Sequence, residues 1–146
     1  MRDAASTGCM LRAETRVRAR ALQLLYAWEI GGRPLLRTVA ERLYAVRRGP
    51  DCEWEGGEAL AQAVADRADA LDAEVAHDLA LWRLERVGVN ERNILRLAVY
   101  ELTTTDVPAA VVISEALRLA RWFAGAKAPP LINGVLDPIA RRLGRL

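Results

Sequence analysis

The 146-residue sequence predicts an all-α fold of about seven short helices. In almost every segment, apolar residues recur at the 3.6-residue period of a helix, and no segment alternates polar and apolar residues as a half-buried strand does. Glycine and proline fall between these segments, where they end one helix and start the next. A chain of this length can bury a core without support from metals or disulfides.

The first two helices are bounded by glycine and proline. The first predicted helix runs from about Glu14 to Glu29 and ends at Gly31. The second covers roughly Pro34 to Arg47. The following run, Arg48 to Gly57, contains three glycines and a proline, and this composition predicts a surface loop.

Three further helices are predicted in the middle of the chain. The third reaches about Leu71, and the fourth covers Asp72 to Val87, where Gly88 interrupts the pattern. The fifth covers Glu91 to Thr105, and Asn90 is its expected N-cap because a side-chain oxygen at that position can accept a bond from a free backbone N–H.

The last two helices carry clear apolar stripes. Asp106 and Pro108 open the sixth helix, and Gly125 closes it. The proline pair at 129–130 introduces the seventh. Pro138 inside that segment lacks a backbone N–H, which predicts a kink.

The first helix carries two opposed lines of side chains. One line is polar at positions i, i+4, i+8 and i+11, and it consists of Arg12, Arg16, Arg20 and Gln23. The opposite line is apolar and predicts a face toward the core. Guanidinium groups bind phosphate oxygens bidentately and stack on bases, so the polar line predicts a polyanion surface. On periodicity alone, a merely solvated arginine face remains the alternative.

Charge is unevenly distributed along the chain, although the net charge is only +2. Residues 51–91 hold eleven acidic and three basic residues, whereas residues 117–146 hold six basic residues and one acidic residue. The first twenty residues hold five arginines and two acids. This pattern favours an anionic ligand at the basic ends, while the acidic middle is either a solvated face or attractive to a basic protein.

Several classes of function are not expected. No apolar run is long enough to span a membrane, and the charged N-terminus does not match a secretory signal, so a soluble cytoplasmic protein is predicted. Cys9, Cys52 and the single histidine, His77, lack metal-ligand spacing. We therefore expect no metal, no cofactor and no catalytic residue, with His77 at the surface.

Three blocks of sequence carry a resemblance to a known family. The first, within the first helix, consists of Arg18, Ala21, Leu22, Gln23, Leu25 and Tyr26. The second is WRLERVGVNERNILRLAVYEL, from Trp82 to Leu102, and the third combines VVISEALRLARWF with LINGVLD, between Pro108 and Asp137. In this order and spacing, the blocks resemble the NusB family of bacterial transcription antitermination factors. The resemblance extends from about Glu14 to Asp137.

The resemblance implies an organisation and a function. It implies a NusB-like body of two packed three-helix groups, with a flexible arm over residues 1–13 and a single domain over residues 14–146. The two groups would cover about 14–71 and 72–146. The implied activity is not enzymatic: it is binding of boxA-like single-stranded RNA of ribosomal RNA transcripts together with NusE, a small-subunit ribosomal protein, in the RNA polymerase antitermination complex. A homodimer is also compatible with the resemblance.

The resemblance places RNA contacts in the arginine-rich N-terminal segment and around the asparagine-glycine motif. With Lys127, a basic residue shortly before that motif, the predicted RNA-binding residues are Arg12, Arg16, Arg18, Arg20, Gln23, Lys127 and Asn133. Leu131 stands near the motif where the family commonly has an aromatic residue, which would remove base stacking there. The predicted partner contacts are Tyr26, beside the apolar face of the first helix, and Glu91, which matches a family position near the NusE surface.

Two polar residues have a predicted structural role. Glu115 borders the apolar stripe of the sixth helix, and Asn133 lies in an otherwise apolar segment. A half-buried carboxylate requires a donor, which a side-chain amide can supply. We therefore expect these two residues to stabilise the packing of the sixth and seventh helices.

Two alternative functions remain open from the sequence. One is the NusB-like RNA-recruiting domain of a ribosomal RNA cytosine methyltransferase, although the chain lacks a glycine-rich segment for S-adenosylmethionine and would have to be a fragment of that enzyme. The other is a helical adaptor that binds only protein, through its acidic middle. Charge reversal at Arg12, Arg16 and Arg20 would leave the activity of such an adaptor unchanged.

Overall fold

A computed structural model describes residues 2–79 and 81–146, with side chains for residues 13–79 and 83–146. The helices are α1 (Arg2–Ile30), α2 (Leu36–Tyr44), α3 (Asp51–Asp66), α4 (Ala68–Ala76), α5 (Leu81–Arg86), α6 (Val89–Thr104), α7 (Ala109–Phe123) and α8 (Ala128–Arg142). The described residues thus form eight helices and no strand, which confirms the all-α prediction. None of these helices has the length and hydropathy needed to cross a membrane.

The described residues form two compact units, which meet in sequence between residues 65 and 66. The first contains α1, α2 and α3 up to its penultimate residue, Ala65, and the second contains α4 to α8. The predicted single domain over residues 14–146, and the flexible arm over residues 1–13, stay predictions.

In the first unit, α1 supplies the largest share of the core. The apolar line predicted on this helix is buried at Ala21, Leu24, Leu25 and Trp28. α2 contributes Leu36, Val39 and Ala40. Burial of each large side chain is worth about 1.5–3 kcal/mol, so this line fixes which side of α1 faces outward.

The predicted surface loop at Arg48–Gly57 is wrong, because α3 begins at Asp51. Gly57 lies where α3 crosses α1. A Cβ atom at this position would stand 2.6 Å from the Cβ of Arg20 and 3.1 Å from the backbone N of Ala21. The glycine therefore permits a close approach of two helices rather than a turn.

The middle helices also differ from the prediction. The expected helices to Leu71 and from Asp72 to Val87 are wrong, since α3 ends at Asp66 and the next residues form α4 and α5. Arg67 separates α3 from α4 with φ −118° and ψ 14°, outside the helical region. The sequence did not predict the end of α3 at this position, because no glycine or proline lies there.

The stripes of α6, α7 and α8 form the core of the second unit. Ile94, Val112 and Ile132 represent the buried line of each helix in turn. The N-cap of α6 is Gly88, so the prediction of Asn90 as its cap is wrong. The Asn90 amide instead donates a 2.9 Å hydrogen bond to the carbonyl of Phe123 at the end of α7.

Buried polar side chains join α4 to α6. Arg96 is buried and donates to both carboxylate oxygens of Asp72, from Nε at 2.7 Å and from Nη2 at 2.8 Å. Its Nη1 donates to the side-chain oxygen of Asn93 at 2.9 Å. This bidentate geometry satisfies the guanidinium inside the unit.

α8 is tied to α4 through Arg142. Its guanidinium donates to Asp78 and to Glu74, each at 3.1 Å. Burial acts to lower the pKa of Arg142, but the hydrogen bonds to the two carboxylates outweigh it and raise the pKa. Some carboxylates of the acidic middle are therefore used within the protein rather than forming only a solvated face.

Candidate nucleic-acid interface

A buried carboxylate joins the outward arginines of α1. Glu53 of α3 has a side chain that is only 5% exposed, and its Oε1 lies 3.3 Å from Nη1 of Arg16. Its Oε2 lies 3.5 Å from Nε of Arg20. Arg16 remains 57% exposed and Arg20 22% exposed, so one carboxylate orients two arginines that still reach the surface. We call Arg16, Arg20, Gln23, Glu53 and Trp54 the arginine cluster.

Arg20 is fixed on three sides within the arginine cluster. Its guanidinium carbon lies 4.7 Å from the ring centroid of Trp54, a cation–π distance. Its Nη1 donates to the Gln23 side-chain oxygen at 3.1 Å, in addition to the ion pair with Glu53. A guanidinium held in this way loses little further freedom when it binds a phosphate or a base.

Trp54 is itself held in place. Its indole N–H donates a 2.8 Å hydrogen bond to the carbonyl of Arg48. The guanidinium of Arg47 lies 5.8 Å from the Trp54 ring centroid and 4.3 Å from that of Tyr44. Arg47 also pairs with Asp51 at 2.9 Å. The segment that was predicted as a loop therefore supports the arginine cluster.

The polar line predicted on α1 is partly assembled as expected. Arg16, Arg20 and Gln23 lie together in the arginine cluster. The side chain of Arg12 lies outside the described residues. Arg18 is buried and has an interaction partner, so it faces away from the exposed line.

Glu53 and Trp54 are the residues that sequence reasoning missed. Glu53 was counted in the acidic middle, and both residues fell in the predicted loop. Helical spacing through Gly57 could have placed Trp54 on the same face as Ala61, seven residues later, and both are buried. The pairing of Glu53 with α1 has no local signal, because it depends on tertiary contact.

The predicted RNA contacts of the second unit lie at the start of α8 and along it. Lys127 is exposed at the N-cap position of α8, and Asn133 is exposed on the helix. Lys127 has no ion pair within the described part of the chain. The predicted packing role of Asn133 is wrong because its side chain faces outward. Glu115 instead lies 3.9 Å from Nε of Arg118 on its own helix.

The two predicted partner contacts lie in different units. Tyr26 is exposed on α1. Glu91, in the first turn of α6, lines a groove of the second unit together with Arg83, Arg86 and Leu131.

The remaining predictions concern the histidine and metal sites. His77 is exposed, as expected. Within the described ranges, no group of three or more histidine, cysteine or acidic side chains is arranged to hold a metal ion.

Comparison with known proteins identifies the family. The NusB family profile matches residues 15–141. The transcription antitermination protein NusB of a Nitratiruptor species is 39% identical over 131 residues, which cover 88% of this chain and 94% of that protein.

Solved structures agree with this assignment. NusB of T. maritima has a TM-score of 0.74 at 28% identity, covering 87% of this chain and 89% of its own. A crystal structure of the antitermination factors NusB and NusE in complex with double-stranded RNA has a TM-score of 0.72 at 26% identity, covering 90% of this chain and 98% of that chain. The chain therefore belongs to the NusB family.

Proposed function

We propose that this protein is a transcription antitermination factor that binds boxA-like single-stranded RNA of ribosomal RNA transcripts together with NusE. The arginine cluster is the observation that carries the proposal. It presents two oriented guanidinium groups and a side-chain amide on one exposed helix face. Family membership supports an RNA ligand over a merely solvated face.

The chemistry of the arginine cluster suits a nucleic-acid backbone. Arg16 is the more exposed guanidinium, and it binds phosphate oxygens by charge-assisted hydrogen bonds. Arg20 is more enclosed and supplies a fixed position and orientation. Gln23 uses its side-chain oxygen to accept from Arg20, which leaves its amide N–H groups to donate to the edge of a base.

Arg18 has a supporting role in this proposal. A buried guanidinium exposes too little surface for a phosphate contact. Arg18 stabilises the packing of α1, so that Arg16 and Arg20 stay on the outer face of the helix. Its replacement would lower stability first and RNA affinity only as a consequence.

The second unit adds contacts of a different kind. Lys127 supplies a flexible point charge for a phosphate, and Asn133 supplies an amide for a base or a phosphate. Phosphate contacts position the RNA without reading its sequence. NusE therefore supplies part of the affinity and specificity, and Tyr26 and Glu91 are the residues proposed to contact it.

The proposed activity is binding rather than catalysis, in the cytoplasm, as a subunit of the RNA polymerase antitermination complex. Relatives that align over most of their own length are antitermination proteins, which favours this function over an RNA methyltransferase domain. A protein-only adaptor is disfavoured by the same relatives and by a neighbour crystallised with NusE and RNA.

Fluorescence anisotropy with labelled RNA tests this function. The protein is titrated into boxA-like, scrambled and double-stranded RNA of equal length, each with and without NusE. We expect modest, salt-sensitive binding by the protein alone, and a preference of at least about tenfold for the boxA-like single strand when NusE is present. Equal affinity for all three RNAs under both conditions would rule out specific recognition.

A charge-reversal variant identifies the surface. Arg16→Glu combined with Arg20→Glu removes two cations and adds two carboxylates beside Glu53, so we expect RNA binding to be lost while NusE is still captured. Arg42→Glu is the matched control because Arg42 is exposed on α2 of the same unit. Unchanged RNA affinity in the double variant would show that the RNA does not bind at the arginine cluster, and absence of specific RNA binding by the parent protein would favour the protein-only adaptor.

A further inference from the structure

Trp122, near the end of α7, has an unusual environment for a tryptophan. The residue is 56% exposed, whereas Trp28 and Trp54 are buried. Arginines cover both of those buried rings, with Arg33 4.9 Å from the Trp28 centroid and Arg20 4.7 Å from that of Trp54. Trp122 has no ring contact and no hydrogen bond within the part of the chain that the structure describes, so its ring face and its indole N–H are open to a ligand.

Basic residues lie close to Trp122 in the sequence, at the end of α7 and in the turn that follows. Arg121 is adjacent and exposed, and Lys127 follows after the short turn through Gly125, which has φ +87°. Among described residues, neither Arg121 nor Lys127 has an ion pair. Arg118 lies one helical turn before Trp122 and is half-exposed, although Glu115 stands 3.9 Å from it. We call Arg121, Trp122 and Lys127 the α7-end surface.

These features fit single-stranded RNA better than a protein partner. An open aromatic ring flanked by cations is the combination that single-strand binders use, since bases stack on the ring and the cations follow the backbone. A protein contact of comparable strength would need a broader apolar patch around the ring. The exposed positions next to Trp122 on α7 are instead Arg118 and Arg121.

The other aromatic groups among the described side chains of the second unit are less suited to stacking. Tyr100 and Phe123 are only partly exposed, and the guanidinium of Arg67 lies 5.7 Å from the Tyr100 centroid. Leu131, beside the asparagine-glycine motif, is part of the wall of the groove that also contains Glu91. Trp122 is thus the exposed aromatic ring among the described side chains of this unit.

We propose that Trp122 is a stacking platform for an unpaired base, with Arg121 and Lys127 holding the phosphates on either side of that base. This inference rests on the proposed RNA-binding function and adds a residue to it. It assigns part of the affinity to stacking, which requires an unpaired base but does not require a particular one.

Anisotropy titrations of Trp122 variants test the proposal. We expect Trp122→Ala to weaken binding of the boxA-like single strand about 5- to 100-fold, because stacking of one base on an aromatic ring accounts for an effect of this size. The salt dependence should keep its slope, since no charge is removed. Trp122→Phe should retain most of the affinity. Val111→Ala, at an exposed apolar position on the same face of α7, is the matched control and should bind as the parent does.

RNA with single abasic sites tests whether the affinity lost in Trp122→Ala comes from the stacking of one base. At one nucleotide, removal of the base should weaken the parent protein and leave Trp122→Ala unaffected. Thermal unfolding checks that each variant is folded, and Trp122→Phe keeps the test informative if the alanine variant is unstable.

The outcomes separate this inference from the function on which it rests. If the parent protein does not prefer boxA-like RNA, the proposed function fails and the stacking role falls with it. If the parent shows the preference but Trp122→Ala binds equally well, only the stacking role is overturned. Loss of NusE capture with unchanged RNA affinity would also overturn it, since Trp122 would then be a protein contact.

Discussion

The arginine cluster of the first unit and the α7-end surface of the second differ in how their cations are held. Arg16 and Arg20 share the buried carboxylate of Glu53, and Arg20 also lies against Trp54. Arg121 and Lys127 have no ion pair within the described residues. A cation that already forms an ion pair within the protein attracts a phosphate less strongly, but its side chain is held in one orientation. A cation without an ion pair attracts a phosphate more strongly, but its side chain is not held in a particular orientation. We therefore expect the arginine cluster to contribute selectivity and the α7-end surface to contribute general affinity.

The largest effect is a loss of stability, and it is expected at Gly57, where α3 lies against α1 below the arginine cluster. Gly57→Val places side-chain atoms against Arg20 and the backbone of Ala21, so α3 must move away from α1. Overpacking of this kind should lower the free energy of unfolding by about 2–3 kcal/mol. Denaturant unfolding measures the change. Gly134→Ala is the control, because a Cβ there meets nothing within 4 Å and stability should hold or rise.

A smaller effect, on RNA affinity, is expected from replacement of Arg20, whose guanidinium has three contacts within the arginine cluster. Arg20→Ala removes the group that contacts Glu53, Gln23 and Trp54, and RNA affinity should fall about tenfold, or about 1.4 kcal/mol. Arg20→Lys should recover little of the loss because an ammonium group lacks the planar fork. Full recovery by lysine in RNA titrations would mean that charge, not geometry, matters at this position.

Replacement of the buried carboxylate of Glu53 is expected to increase RNA affinity rather than to decrease it. Glu53→Gln keeps the shape of the side chain but removes the negative charge beside Arg16 and Arg20. Scrambled RNA should then bind about threefold more tightly, and the preference for boxA-like RNA should shrink. Glu58→Gln is the matched control on α3, since Glu58 pairs at 2.8 Å with Arg37 rather than with the arginine cluster. A parallel gain in both variants would contradict a specific role for Glu53.

The smallest effect is expected at Lys127, the exposed lysine of the α7-end surface. Lys127→Ala removes one exposed cation, so affinity for every RNA should fall about two- to threefold. The slope of log affinity against log salt should become shallower by about 0.7, the value for one contact to a single strand. Titration at four salt concentrations gives both quantities. A change in preference between boxA-like and scrambled RNA would show that Lys127 reads bases.

The sequence predicted the helices with strong apolar periods and missed the features that depend on tertiary contact. The stripes of α6, α7 and α8 were predictable because burial of one face dictates the 3.6-residue pattern. Gly57 was misinterpreted, since a glycine at a helix crossing and a glycine in a loop look alike in sequence.

The candidate site was predictable to a similar extent. Periodicity placed Arg16, Arg20 and Gln23 on one line of α1, and the structure brings their side chains together. It could not predict that Glu53, more than thirty residues later, pairs with two of them. Asn133 was expected to pack between helices because its neighbours are apolar, but the helix turns it outward.

Cross-linking of RNA to the protein shows which helices contact boxA-like RNA. A boxA-like RNA carrying photoreactive bases is irradiated with the protein in the presence of NusE, and the attached peptides are identified by mass spectrometry. We predict attachment within residues 16–23 of α1 and at the α7-end surface, and its loss when unlabelled boxA-like RNA competes. Attachment confined to residues 66–79, or attachment that scrambled RNA competes away equally well, would contradict specific RNA binding at these two surfaces.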